Sequence, residues 1–216
     1  MRTALTLVVL MVASVMFVAS MLGCALGAVA YKLAPEPKLP AQFNLAPVPT
    51  LILADDAMDR SLGSLDADRL GRLVEQQLVS WKIVPVIPHD RIIALRDADP
   101  TRFHRESATA IARELQAEQI VLIAFEGAEL GLSMGTDMPR ARAAATVRVV
   151  DLAGNVLFPI DNQTGRAVVY QTPYRKPQDR PSALGERGMA IEGLARSIAR
   201  MFRPFEAGEL EDRTFD

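Results

Sequence analysis

The chain has 216 residues, half of them hydrophobic, and 24 Lys and Arg against 26 Asp and Glu, for a formal net charge of −2. That balance provides no overall basic field for nucleic-acid phosphates, so no nucleic-acid partner is expected. A single cysteine excludes an intramolecular disulfide framework, and a domain without disulfides suits either redox compartment.

After Met1, Arg2 and Thr3, residues 4–30 carry no charge, and their only polar side chains are Thr6, Ser14 and Ser20. As a helix rising about 1.5 Å per residue, this run reaches about 40 Å, more than the roughly 30 Å of a bilayer's hydrocarbon core. It reads as an export or membrane segment. Met21-Leu22-Gly23-Cys24 resembles the lipobox of bacterial lipoproteins, in which a small residue precedes a cysteine that is diacylated and becomes the new amino terminus. Gly23 and Cys24 fit that pattern, whereas Met21 and Leu22 depart from it. Ala28-Val29-Ala30 also has the A-x-A form of an ordinary cleavage site. Three readings stay open: lipidation at Cys24 after a signal peptide 1–23, an uncleaved anchor over 4–30, or cleavage after Ala30. All three place the rest of the chain on the extracytoplasmic side of the cell membrane or outer membrane. Membrane lipid is then the first partner, since two acyl chains hold a protein stably.

Residues 24–49 read as a linker, with Pro35, Pro37, Pro40, Pro47 and Pro49. Proline fixes φ and removes backbone donors, which predicts an extended, semi-rigid spacer; the alternative is that its later part packs along the domain surface. Residues 50–205 then carry the patterns of one α/β (α+β) domain. The apolar run 50–54 predicts a buried strand, and Ser64 a cap for a helix with Leu70, Leu73, Val74, Leu78 and Trp81 on one face. A second strand is predicted over 83–87, edge or bulged because Pro85 cannot donate to a ladder. Helices follow over 90–96 and 107–116, then the most apolar strand, 120–125, which should be central.

The pattern then changes to hairpins. Val147 and Val149 alternate with Thr146 and Arg148, and 151–155 has turn chemistry, with Gly154 able to take positive φ. A further strand is expected over 167–171. Residues 184–202 form an amphipathic helix with Ile191, Leu194, Ala195, Ile198 and Phe202 on one face. Residues 206–216 read as an acidic, solvated tail. The order is β-α-β-α-β-β-β-α, a mixed sheet with flanking helices in a three-layer arrangement.

The succession from residue 107 to 125, the hairpin 146–160 and the closing helix resemble the periplasmic α/β domain shared by the TolB amino-terminal region and the curli-secretion lipoprotein family. Gln116-Ala117-Glu118 and Asp151-Leu152-Ala153-Gly154 are the phrases that match. The likeness covers about residues 50–203 and rests on order and spacing. It implies a non-enzymatic assembly or docking part of the cell envelope, with a protein partner there.

Four features invite a chemical reading. GLSMG, 131–135, has the G-x-S-x-G form of a nucleophile elbow, but a strand is expected after it instead of a helix, and both histidines precede Ser133. Asp55 and Asp56 follow the first strand as in phospho-receiver domains; a strand-end cap is the plainer reading and a metal site the sharper one. His89 and His104 stand 15 apart with no Cys partner and read as surface or loop histidines. Arg196, Arg200 and Arg203 are spaced as a stripe on the last helix, read as a solvated face, with an acidic partner or lipid headgroup as the alternative. No catalytic residue, cofactor or metal is assigned, and the oligomeric state is not readable. A hydrolase using Ser133 and a small-ligand sensor stand as the alternatives to a binding or assembly role.

Overall fold

A computed structural model describes residues 38–56, 65–132, 139–173 and 182–206. The leader with Cys24, the proposed cap Ser64, Ser133 and most of the acidic tail lie outside the described residues. In chain order the elements are β1 (Lys38–Leu39), β2 (Thr50–Asp56), α1 (Leu65–Ser80), α2 (His89–Ala98), α3 (Pro100–Arg105), α4 (Ala108–Glu114), β3 (Gln119–Leu132), β4 (Pro139–Asp151), β5 (Val156–Phe158), β6 (Arg166–Gln171), α5 (Ala183–Arg200) and β7 (Phe205–Glu206). No helix among the described residues is long and apolar enough to cross a membrane.

Five strands form one mixed sheet in the order β2-β3-β4-β5, with β6 also paired to β4. β2 runs parallel to β3 from Thr50↔Gln119 to Asp56↔Phe125, so the apolar run expected to be central lies between a parallel and an antiparallel neighbour. Parallel strands buried on both faces should be continuously apolar, and β2 divides accordingly. Ile52 faces one core with Leu70, Val74, Val121, Ile123, Ile191, Leu194 and Ile198. Leu51 faces a second core with Ile92, Ile111, Leu115, Ile120 and Val150. Thus α1 and α5 cover one face and α2 to α4 the other, as a three-layer α/β arrangement requires.

β3 and β4 are longer than the sequence pattern suggested, pairing from Gln119↔Asp151 out to Leu132↔Pro139. The register shifts between Phe125 and Gly127, and Gly127 takes φ 126°, a backbone conformation that L side chains avoid. On β4, Ala141, Ala143 and Ala145 are buried in the first core, where small side chains let a helix approach the strand closely. The α5 residues Gly188, Ala190, Gly193 and Ala195 are small and buried as well.

Several elements differ from expectation for physical reasons. The strand expected over 83–87 reduces to a single parallel bridge between Thr50 and Val86, because the neighbouring Pro85 offers only its carbonyl, which accepts from Thr50 N at 2.9 Å. An additional helix, α3, starts on a clear signal: the Asp99 side chain accepts from Arg102 N, with proline in the first turn. The turn at 151–155 forms as expected, with Gly154 at φ 87°. Asp151 accepts from Ala153 N and Asn155 N at 2.8 Å and from Asn155 Nδ2 at 2.7 Å. These bonds, the Asn155 side chain first, hold its carboxyl below the usual carboxylate range.

Residues 38–49 lie against the domain, so surface packing extends beyond the later part of the linker and also takes in residues expected to be spacer. β1 pairs with β7, Gln42 N and Phe43 N both donate to Met201 O, and the Phe43 ring sits 5.4 Å from that of Phe158. Gln119, buried beneath it, donates from Nε2 to Ala46 O and to Thr50 Oγ1, both at 2.8 Å. The arginine stripe on α5 is not one solvated face. Arg196 is exposed, but Arg200 is buried with its guanidinium over Phe205, and Arg203 lies 4.0 Å from the centroid of the Trp81 ring.

Candidate functional site

The carboxyl ends of adjacent parallel strands are where open α/β sheets accept ligands, and β2 ends there in Asp55 and Asp56. A pocket of about 360 Å³ opens at this point, within the usual range for small-molecule sites. Its apolar wall is built by Leu53 and Leu122 from the sheet, Ile92 from α2, Phe103 from α3 and Ile111 from α4. Its polar groups are Asp55 and Asp56, Asp68 from the first turn of α1, His89 and Arg96 from α2, His104 and Glu106 around α3, and Arg148 from β4.

His89 is the departure from the sequence reading. It is not a surface or loop histidine: it is the first residue of α2 and only 5% exposed. Its backbone N–H donates to Glu75 Oε2 at 2.8 Å, which ties the start of α2 to α1. Gly71 makes room for the ring, since a Cβ at position 71 would stand 3.3 Å from His89 Cε1 and 3.2 Å from Ala54 Cβ. Neither ring nitrogen has a hydrogen-bond partner. Burial pushes the imidazole below its ordinary pKa, with Arg72 and Arg96 acting in the same direction against Asp68 and Asp90.

The surrounding charges are largely matched. Asp68 Oδ1 accepts from Arg96 Nη1 at 2.8 Å, and this hydrogen bond raises the guanidinium pKa. Arg102 links Glu106 and Glu114, donating from Nε at 2.7 Å and Nη2 at 2.6 Å. Arg148 Nη1 donates to Gln163 O at 3.4 Å, and Asp55 Oδ1 accepts from Asp56 N at 2.9 Å. Burial raises Glu75, opposed by the His89 N–H it accepts.

The fold therefore brings Asp55, Asp56, His89 and His104 to one pocket, a convergence that no motif announced. His104 is exposed, with its ring edge-on to Phe103 at 6.2 Å between centroids. Among the described residues no group of three or more His, Cys, Asp or Glu is arranged to hold a metal ion. Ser133 and Cys24 lie outside the described residues. GLSMG begins within β3, and the next element, β4, is its antiparallel partner, so a strand precedes and follows this stretch.

No protein-family model and no curated protein matches the chain. Among solved structures it is similar to lipoprotein GNA1162 from Neisseria meningitidis, at 15% identity and a TM-score of 0.45 over 71% of this chain and 99% of that one. It is also similar to the PelC dodecamer protein from Paraburkholderia phytofirmans, at 13% identity and a TM-score of 0.42 over 79% and 94% of the two chains. A third is the hypothetical protein CT253 from Chlamydia trachomatis, at 14% identity and a TM-score of 0.41 over 73% and 92%. At these levels of similarity, function has to be argued from this chain's own residues.

Proposed function

We propose that this chain is a membrane-tethered domain on the extracytoplasmic side of a bacterial cell envelope, and that it works by binding without catalysing a reaction. The tether reading is supported by the uncharged run 4–30 and by Gly23-Cys24 within it. The observation that carries the binding reading is the pocket at the β2 and β3 strand ends. Two of its lining carboxylates are held by arginines, Asp68 by Arg96 within the lining and Glu106 by Arg102 outside it. The order-and-spacing resemblance to the TolB amino-terminal region and the curli-secretion lipoproteins belongs to the same proposal and favours an assembly or docking role.

Within a binding role, a small-ligand sensor is favoured by the pocket. A protein partner adding a strand is the second reading, and β6 is the edge that favours it: among the described residues β6 pairs only with β4, and Val169 is 52% exposed. The tether is tested by intact-mass analysis of the membrane-extracted protein beside a Cys24→Ala variant. A mass that begins at Cys24 and carries acyl chains, lost in the variant, supports lipidation. A full-length chain with Met1, recovered free in the cytosolic fraction, refutes the proposal.

A further inference from the structure

We propose that Asp68 is the shared carboxylate of an acid switch. Arg96 holds it while His89 is neutral, and a protonated His89 takes it over, drawing the start of α2 toward α1 and releasing Arg96 from the ion pair. This goes beyond the binding reading above and does not rest on it. Three observations carry it.

The first is distance. Asp68 Oδ1 accepts from Arg96 Nη1 at 2.8 Å, while His89 Nε2 stands 3.8 Å from the same oxygen. A displacement of about 1 Å brings Nε2 within hydrogen-bond range of Oδ1. Neither ring nitrogen has a hydrogen-bond partner to give up for that move. Gly71 leaves room beside the ring, where a Cβ would stand 3.3 Å from His89 Cε1.

The second is charge. Around the ring, α1 contributes Asp68, Arg72 and Glu75, and α2 contributes Asp90 and Arg96. Asp68 and Arg96 balance each other, and Glu75 accepts the His89 backbone N–H. A proton on His89 adds a cation beside Arg72 and Arg96, at the first residue of α2, where the helix dipole also opposes positive charge. The new imidazolium and the guanidinium then compete for one carboxylate oxygen. The pocket also carries Asp55 and Asp56 from β2, His104 and Glu106 around α3, and Arg148 from β4; the exchange at Asp68 needs none of them.

The third is the difference in access to water. The Arg96 side chain is 19% exposed and that of His89 5%. A guanidinium at the pocket wall regains hydration when it leaves Asp68, whereas a buried imidazolium without a counter-ion stays costly. The backbone of His89 is also tied to α1 through Glu75. Arg96 is therefore the cation that gives way. Burial postpones the exchange until the pH has fallen below the ordinary histidine range.

The test is a pH titration of the isotope-labelled full chain in nanodiscs, followed by the His89 ring, the Arg96 Nε–H and the backbone amides. His89 should titrate below the roughly 6.5 of an unfolded histidine. The Arg96 signal and the amides of 89–98 should shift with the same midpoint, while those of 119–125 in β3 stay in place. In Asp68→Asn the His89 midpoint should fall, and the Arg96 signal should no longer follow it. His89→Gln should abolish the α2 and Arg96 response. Glu75→Gln and His104→Gln, which remove two other groups that take up protons in acid, should preserve it. If His89→Gln misfolds, the coincidence of the three midpoints in the unaltered chain decides. An Arg96 signal that stays still while His89 protonates overturns the switch. So does an α2 response that persists in folded His89→Gln, or loss of the native α2 and β3 signals together before His89 titrates.

Discussion

Asp68 Oδ1 lies 2.8 Å from Arg96 Nη1 and 3.8 Å from His89 Nε2, so one carboxylate oxygen is hydrogen-bonded to the arginine and beyond hydrogen-bond reach of the histidine. The imidazole is thus buried beside a carboxylate whose charge Arg96 already balances. Desolvation outweighs the pull of Asp68, and the histidine is held neutral.

Acid stability should register this. An unfolded histidine titrates near 6.5, whereas native His89 resists protonation until lower pH. Between those values the unfolded chain binds a proton that the native state does not, so stability falls as pH drops below about 6.5. Glu75 acts in the opposite sense: burial raises its folded pKa, so its stabilisation is present at low pH and lost as pH rises through that pKa. Urea unfolding at pH 7.5 and 5.5 should therefore show a larger loss in the wild type than in His89→Gln. Equal losses in the two proteins contradict the assignment.

Gly193 lies under the Tyr170 ring, and a Cβ there would stand 2.1 Å from Tyr170 Cε1 and 2.3 Å from Cζ. Alanine gains about 1 kcal/mol over glycine in a helix interior, but overpacking costs about 1–3 kcal/mol. Gly193→Ala should destabilise the protein by up to about 2 kcal/mol on these figures. In a Tyr170→Ala background the overlap is gone, and the same substitution should stabilise. A double-mutant cycle by chemical denaturation measures the reversal.

Gln119→Leu removes the Nε2 donor to Ala46 O and Thr50 Oγ1. An unsatisfied buried polar group costs about 1–3 kcal/mol, and stability should fall by about that amount. Since Gln119 ties residue 46 to the sheet, limited proteolysis within 40–49 should speed up in the variant. Unchanged cleavage there would show that β1 and the Phe43 contact suffice to hold the segment.

The sequence was most informative where burial is uniform. Residues 120–125 are apolar on both faces because both faces of β3 meet a core, and the α5 face reads clearly because Ile191, Leu194, Ala195 and Ile198 recur at helical spacing. β4 was partly concealed, since Ala141, Ala143 and Ala145 have little strand propensity and are selected by the helix packed above them. The Asp99-Pro100 start of α3 is a local signal, a capping side chain followed by proline in the first turn. The candidate site was legible only as isolated residues. Asp55, Asp68, His89 and Arg148 come from four separate segments, and the parallel pairing of β2 with β3 brings their neighbourhoods together. Nothing local to His89 indicates that Gly71 leaves room for its ring.

The serine in GLSMG gives a direct check on the non-catalytic reading. A nucleophile elbow stands on a strand-to-helix turn, whereas the described elements before and after this stretch are the strands β3 and β4. Ser133→Ala should leave any esterase activity of a pure sample unchanged, measured with a chromogenic short-chain ester. Complete loss of such activity would restore the hydrolase alternative.

Protease accessibility in intact spheroplasts tests the central claim most directly. A domain held by its leader on the outer side of the cytoplasmic membrane should be degraded by added protease before lysis, while a cytosolic marker stays intact. Full protection of the domain until the membrane is broken would contradict the account.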